Sequence, residues 1–203
     1  MDLQRIYLAS RSPRRRELLG QIGIGFDTIL FRAGERADPE TDETPLPGED
    51  PARYVERVAR AKAEHGSRIL AWRKLPVRPI LSADTTLEVD GEIIGKPSDA
   101  ADAARILERL SGRTHRVLTG VAVNAPGNTH FVLSSSEVRF RVLEAEEIRR
   151  YVQSGEPMDK AGAYGIQGRA GMFVAHLAGS YTGVMGLPLC ETGELLKRIG
   201  YRF

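Results

Sequence analysis

Cysteine is nearly absent from this chain. Cys190 is the single one, which excludes an internal disulfide and a thiolate zinc set and fits a reducing compartment. Excess charge is also lacking. A formal net charge of +2 over 203 residues is too small for binding nucleic acid by bulk attraction. No apolar run approaches the length of a membrane span, and the N-terminus enters a strand without a signal-like apolar core. The expectation is a soluble cytoplasmic protein that needs neither a membrane nor a nucleic acid. Repeats, low-complexity stretches, a Walker-type phosphate loop, a nucleophilic cysteine motif and a histidine cluster are all missing. The four histidines (65, 115, 130 and 176) are scattered and read as surface or structural.

What is present suffices for a packed domain. Hydrophobic residues make up 41%, enough for a chain of this length to bury a full core, read as one bilobed domain over residues 1–203. The most informative stretch is Ser10-Arg-Ser-Pro-Arg-Arg-Arg16, after the strand-like run at residues 6–9. Leu18, Leu19 and Ile22 then recur at helical spacing, Ser12 stands where an N-cap belongs and Pro13 at the first helical position. Three arginines in the first turn oppose the helix dipole unless an anion sits there. Free backbone N–H groups and guanidinium forks at a helix start suit a phosphate chain. The competing reading is a solvated basic face.

Further along, residues 26–31 read as a strand, and residues 32–50, rich in Asp, Glu, Pro and Gly, as a loop. A helix is expected from Pro51 to about His65, with Lys62 on the apolar stripe of Val55, Val58 and Ala59. Such a lysine either snorkels to solvent or points its ammonium into a cleft. Residues 70–79 read as a basic connector carrying Trp72. Residues 80–83 read as a buried strand delivering Asp84 at its carboxyl end, where α/β proteins collect ligands. A hairpin signal follows around Asp90-Gly91, then Gly95-Lys96-Pro97. A helix capped by Ser98 or Asp99, strands at residues 117–123, 131–133 and 138–142, and a helix at residues 144–153 complete the middle of the chain. On that last helix Ala145, Ile148 and Val152 are expected to face inward. The glycine-rich polar stretch at residues 155–168 suits a loop wrapped round a ligand, with Glu156, Asp159, Lys160, Tyr164 and Gln167 as its chemistry. A strand at residues 172–177 and a terminal helix opening at Leu187-Pro188 finish it. The fold class expected is mixed α/β, a twisted and partly antiparallel sheet flanked by helices in two lobes around a cleft.

The candidate chemistry is a set of anion binders (Arg14, Arg15, Lys62, Lys96, Lys160) amid carboxylates (Glu35, Asp84, Asp159). Carboxylates among cations suit magnesium-dependent attack of water on a polyphosphate, with charge stabilisation and positioning supplying most of the acceleration. The residues alone choose neither the base nor the bond.

Ser10-Arg-Ser-Pro-Arg-Arg-Arg16, Ser82-Ala-Asp-Thr85, Gly95-Lys-Pro97, Leu110-Ser-Gly-Arg-Thr-His115, Glu156-Pro-Met-Asp-Lys-Ala-Gly-Ala-Tyr-Gly-Ile-Gln-Gly168 and Gly179-Ser-Tyr181 with Gly186-Leu-Pro-Leu189 resemble, in order, the motifs of the Maf (septum-formation inhibitor) family. The resemblance implies a fold like the inosine triphosphate pyrophosphatases. It also implies hydrolysis of nucleoside triphosphates between the α- and β-phosphates with a divalent cation, Mg²⁺ or Mn²⁺. By that resemblance Asp84 corresponds to the proton acceptor, with a metal-ligand role equally open to it and to Glu35. Ser10, Arg14 and Arg15 correspond to the phosphate-binding turn, and Glu35, Lys62 and Lys96 to cleft residues. Asp159 and Lys160 join the substrate site. Arg14, Thr85 and Gln167 match the positions tied to base choice in the dTTP/UTP branch; the Gln167 amide suits uracil O4 and N3–H. The same reaction on 7-methyl-GTP or CTP is the first alternative, and a non-catalytic nucleotide-binding regulator of division the second. A homodimer is compatible with the chain. Residues 36–50 exceed the usual family length, Thr182-Gly183 replaces bulkier residues, and Ser82 stands where glycine is frequent, expected as a mild packing change.

Overall fold

The computed structural model describes residues 5–29 and 41–203. Among them seven strands join one mixed sheet flanked by helices. The first unit is β1 (Arg5–Leu8), α1 (Pro13–Gln21) and β2 (Gly25–Thr28), a parallel βαβ crossover. Pro13 stands at the start of α1 and Ser12 at its N-cap in extended conformation, as the local residue types require, although the Ser12 side chain makes no capping bond.

The helix α2 (Pro51–Trp72) starts behind a full cap: the Asp50 carboxylate accepts from the N–H groups of Ala52 and Arg53. It runs seven residues past the expected end near His65, so Leu70, Ala71 and Trp72 belong to the helix rather than to the connector. The apolar stripe continues through Ile69 and Leu70, both buried, which explains the extension.

Strand β3 (Ile80–Val89) is longer than expected and organises the molecule. It pairs in parallel with β1 at Ile80 and Leu81, and antiparallel with β4 (Glu92–Ile94) from Leu87 to Val89. Its other edge is occupied from Ile80 to Glu88 by β5 (Thr114–Ala125), so β1 and β4 share one edge and, among the described residues, leave residues 82–86 between them without a strand neighbour on that edge. Asp84 therefore lies in the middle of a strand and not at its end. The strand-end argument applies instead to β1, whose pairing stops at Leu81 just before this gap.

The sheet order is β2-β1-β3-β5-β6-β7, with β4 on β3. Strand β6 (Asn128–Phe140) is continuous through residues expected to be separate strands, and Val142 lies beyond it, exposed. The helix α3 (Ala100–Leu110) is capped by Asp99, whose carboxylate accepts from Asp102 N–H. On α4 (Ala145–Gln153) Ile148 and Tyr151 are buried while Ala145 is exposed, so Tyr151 takes the inward place assigned to Ala145. After short 3₁₀ turns, β7 (Val174–Ala178), α5 (Tyr181–Met185) and α6 (Leu189–Arg198) complete the chain.

Two large cores sit at the two ends of β3. Leu81 and Ala83 pack with β1, α1 and α6; Leu87 and Val89 pack with α3, α4, Ala163 of a 3₁₀ turn and Tyr164 just after it. Asp84 and Thr85 fall between these cores. That is the physical content of two lobes: each end of one strand has its own apolar packing, and the polar middle is left to a cleft.

Candidate active site

A cavity of about 730 Å³ opens at the gap in the edge of β3. Because strand side chains alternate, Ser82 and Asp84 point to one face and Thr85 to the other. Both faces reach this cavity at the gap, since neither β1 nor β4 covers residues 82–86.

On the first face, α2 delivers Lys62. Its ammonium donates to Asp84 Oδ1 at 2.8 Å and lies 2.9 Å from Glu43 Oε1. The register of this contact is set one turn earlier on α2, where Ser82 Oγ donates to the Ala59 carbonyl at 2.6 Å. The serine that stands where glycine is frequent thus ties the strand to the helix, which is more than a packing change. Gly120, opposite Asp84 on β5, permits the close approach of α2: a Cβ there would come within 2.8 Å of the Val55 carbonyl oxygen and 2.9 Å of the Phe131 ring. Lys62 is accordingly a cleft lysine and not a snorkelling one.

Glu43 belongs to a segment that the sequence marks only as acidic loop. It is anchored to α2 by Tyr54, whose hydroxyl donates to the Glu43 carbonyl at 2.9 Å, and by the Arg57 guanidinium, which donates to Glu49 and to the carbonyls of Asp42 and Thr44. Burial, reinforced by the Asp84 and Glu43 carboxylates, pushes the Tyr54 hydroxyl up from its ordinary pKa.

On the second face, Arg15 is locked. Its Nε donates to the Gly186 carbonyl at 2.8 Å, and its terminal nitrogens donate to Ser10 Oγ at 3.3 Å and Thr85 Oγ1 at 3.2 Å. Thr85 Oγ1 in turn lies 2.9 Å from Thr119 Oγ1, which donates to the Gly183 carbonyl at 2.8 Å. Burial pulls the Arg15 pKa below its ordinary value, with the nearby Asp84 charge opposing the shift and Arg14 adding to it.

The glycine-rich stretch closes the cavity. The Lys160 ammonium donates to the Glu156 carbonyl and to Asp159 Oδ1, both at 2.6 Å. Burial works to raise the Asp159 pKa, but the Lys160 ammonium overcomes it and holds that carboxyl below the usual range. Arg14, Lys96 and Gln167 line the same cavity, and among the described residues their side chains have no hydrogen-bond partner. The cations thus divide into a committed set (Arg15, Lys62, Lys160) that shapes the cleft and an uncommitted pair (Arg14, Lys96) left for a ligand.

Ten candidate residues therefore converge on one cavity; the eleventh, Glu35, lies outside the described residues. Sequence reasoning missed Glu43, Tyr54 and Thr119. Thr119 carried no signal, being one hydroxyl in an apolar strand, and Glu43 is one acid among several in its segment. Among the described residues no group of three or more His, Cys, Asp or Glu forms a ready-made metal cage. Asp84 and Glu43 nevertheless place two carboxylates on one ammonium, a donor set suited to a hard cation that takes its remaining oxygens from phosphates and water. No helix of the described residues is long and apolar enough to cross a membrane.

The family model described as Maf-like protein matches residues 5–199. A protein of Dechloromonas aromatica named dTTP/UTP pyrophosphatase is 77% identical over 198 residues, covering 98% of each chain. Proteins of the same name from Aromatoleum aromaticum and Chromobacterium violaceum are 64% and 54% identical, each covering 97% of this chain and 96% of the relative. Among solved structures, the Staphylococcus aureus Ham1 protein aligns with 67% of this chain and 71% of its own at a TM-score of 0.47 and 18% identity.

Proposed function

Since the chain belongs to the Maf-like family, we propose that it is a nucleoside triphosphate pyrophosphatase acting on dTTP and UTP. It hydrolyses them between the α- and β-phosphates to the monophosphate and pyrophosphate. The observation that carries this reading is the division of charges in the cleft. Arg14 and Lys96, without a hydrogen-bond partner among the described residues, face the same cavity as the Lys62–Asp84 pair and the Gln167 amide.

In this reading the triphosphate runs past the start of α1, where backbone N–H groups and Arg14 meet it, with Lys96 lining the same cavity. Arg15 holds the turn at Ser10 and the Gly186 carbonyl in place beneath the phosphates. Asp84 accepts the proton of the water that adds across the anhydride bond, while Lys62 holds its Oδ1 and leaves the second carboxylate oxygen to act. One product keeps the nucleoside and one phosphate; the other leaves as pyrophosphate, its charge met by the cleft cations. A divalent cation held by Glu43 and the phosphate oxygens would neutralise charge on the phosphates while Asp84 stays free as the base. The base lies toward Gln167, whose amide donates to O4 and accepts from N3–H, an edge shared by uracil and thymine.

The test is pyrophosphate release from a panel of nucleoside triphosphates with Mg²⁺, run beside Asp84→Asn. Release from UTP and dTTP above the others, lost in the variant, is the expected result. A different preferred base overturns the specificity. A folded protein that binds nucleotide without turnover overturns the catalytic reading.

A further inference from the structure

A glutamine amide is ambivalent: rotated by half a turn it presents donor and acceptor in the opposite order, which suits cytosine as well as uracil. Gln167 therefore selects a base only if the turn carrying it is held where one order fits. The side chain itself has no partner among the described residues, so the restraint must come from its backbone.

The structure supplies one. Glu156, thirteen residues before Arg169, turns its carboxylate back onto this turn. Its Oε2 accepts from the Arg169 backbone N–H at 3.3 Å, and its Oε1 accepts from the Tyr151 hydroxyl of α4 at 3.2 Å. Tyr151 is only 4% exposed and anchored in the core of the second lobe. The carboxylate also lies close against Gly168. A Cβ on Gly168 would run into Glu156 Oε1 and its carboxyl carbon, and the Glu156 carboxylate supplies all three of the nearest atoms. The φ of Gly168 is −96°, open to any residue, so the glycine is required by Glu156 and not by the backbone. The Glu156 main-chain carbonyl meanwhile accepts from Lys160.

We propose that Glu156 is the positioning residue for base selection, holding the Gln167-Gly168-Arg169 turn against Tyr151 so that the Gln167 amide meets the base in one order. This inference rests on the pyrophosphatase reading and deepens it. Glu156 touches no reacting atom; it acts through Gln167.

The experiment measures kcat and KM with UTP, dTTP and CTP for the wild type, Glu156→Gln, Glu156→Ala, Gly168→Ala and the Glu156→Ala/Gly168→Ala double variant. Each is repeated as a nucleotide-binding measurement in the Asp84→Asn background. Glu156→Ala is expected to lower the preference for UTP over CTP by about tenfold, through KM more than kcat. Glu156→Gln keeps an acceptor for Arg169 while the Tyr151 hydroxyl rotates to accept from its amide, and is expected to retain most of the preference. Gly168→Ala is expected to reproduce the Glu156→Ala phenotype in the wild type and to change little once the carboxylate is gone, a non-additivity that marks direct contact. An unchanged UTP/CTP ratio in Glu156→Ala, or effects of the two single variants that simply multiply, overturns the proposal. A wild type that prefers a base other than uracil or thymine overturns the substrate reading instead. The ratio led by that base, in turnover or in binding, still reports on Glu156.

Discussion

Lys62 and Asp84 stand 22 residues apart in the chain and 2.8 Å apart in space, one on α2 and the other in the middle of β3. Both side chains are largely buried, with relative exposures of 14% and 9%. A buried pair of this kind is a poor source of net stability but strongly orients its members. Asp84→Asn keeps the volume and removes the acceptor of the water proton. Turnover is expected to fall by about 10²-fold or more with nucleotide affinity largely kept. Steady-state pyrophosphate release beside a nucleotide-binding titration checks it; near-normal kcat would remove Asp84 from the chemistry.

Arg14 and Arg15 are adjacent, yet among the described residues only Arg15 is hydrogen-bonded to the protein. Arg14→Ala is expected to raise KM with an unchanged melting temperature. Arg15→Ala leaves the Gly186 carbonyl and Thr85 without their charged donor and is expected to cost about 1–3 kcal/mol of stability as well. Thermal unfolding of the two variants separates them. Equal melting temperatures would contradict this division of labour.

Thr119 is buried and does not line the cavity, but it connects Thr85 to the Gly183 carbonyl. Thr119→Val has the same shape without the hydroxyl. It is expected to cost about 1 kcal/mol and to loosen Arg15 through Thr85, and Thr119→Ser is expected to restore both. Chemical denaturation and kcat/KM measured together decide it. Lost stability with unchanged kinetics would confine Thr119 to structure.

His115 supplies a pH dependence unrelated to catalysis. Its ring is buried against Phe140 and Tyr164, with Nε2 2.8 Å from the Tyr164 hydroxyl, and burial pulls its pKa down to about 4. The folded value lies below the unfolded value of about 6.5, so the unfolded chain binds the proton first. The contribution of His115 is fully present above about pH 6.5 and is lost as the pH falls toward 4. The total loss is of order 3 kcal/mol, about 2 of it by pH 5. Urea unfolding at pH 7 and pH 5 of the wild type and His115→Gln checks this. The expected outcome is a smaller acid penalty in the variant, and equal penalties would refute it.

Gln167→Glu removes the amide donor and places a carboxylate opposite uracil O4. The expected outcome is a kcat/KM for UTP lower by about tenfold or more, read against CTP in the same assay. An unaltered base preference would move recognition away from the 165–170 turn.

The sequence by itself determined those features that depend on neighbours along the chain. Pro13 after Ser12 starts α1 and sets three arginines in its first turn, and Asp50 before Pro51 starts α2. The 3.6-residue spacing places Lys62 on the buried stripe, and Asp90-Gly91 turns the β3–β4 hairpin. The alternation of strands and helices with hairpins was enough for a mixed sheet. Each of these is a local choice of dihedral, cap or periodicity, and residue type dictates it.

Tertiary structure alone decided where the cleft opens. Nothing local marks Asp84 as the middle of a ten-residue strand, because a run of apolar and hydroxyl residues reads the same whether a neighbour stops beside it or continues. The site exists because β1 leaves β3 after Leu81 and β4 joins it only at Leu87, a property of pairing between segments far apart in sequence. The contacts that sequence reading missed share that origin: Glu43 on Lys62, Thr119 on Thr85, and the Glu156 carboxylate on the Gly168-Arg169 turn. Each is one polar group among many until packing brings a distant partner within hydrogen-bond distance.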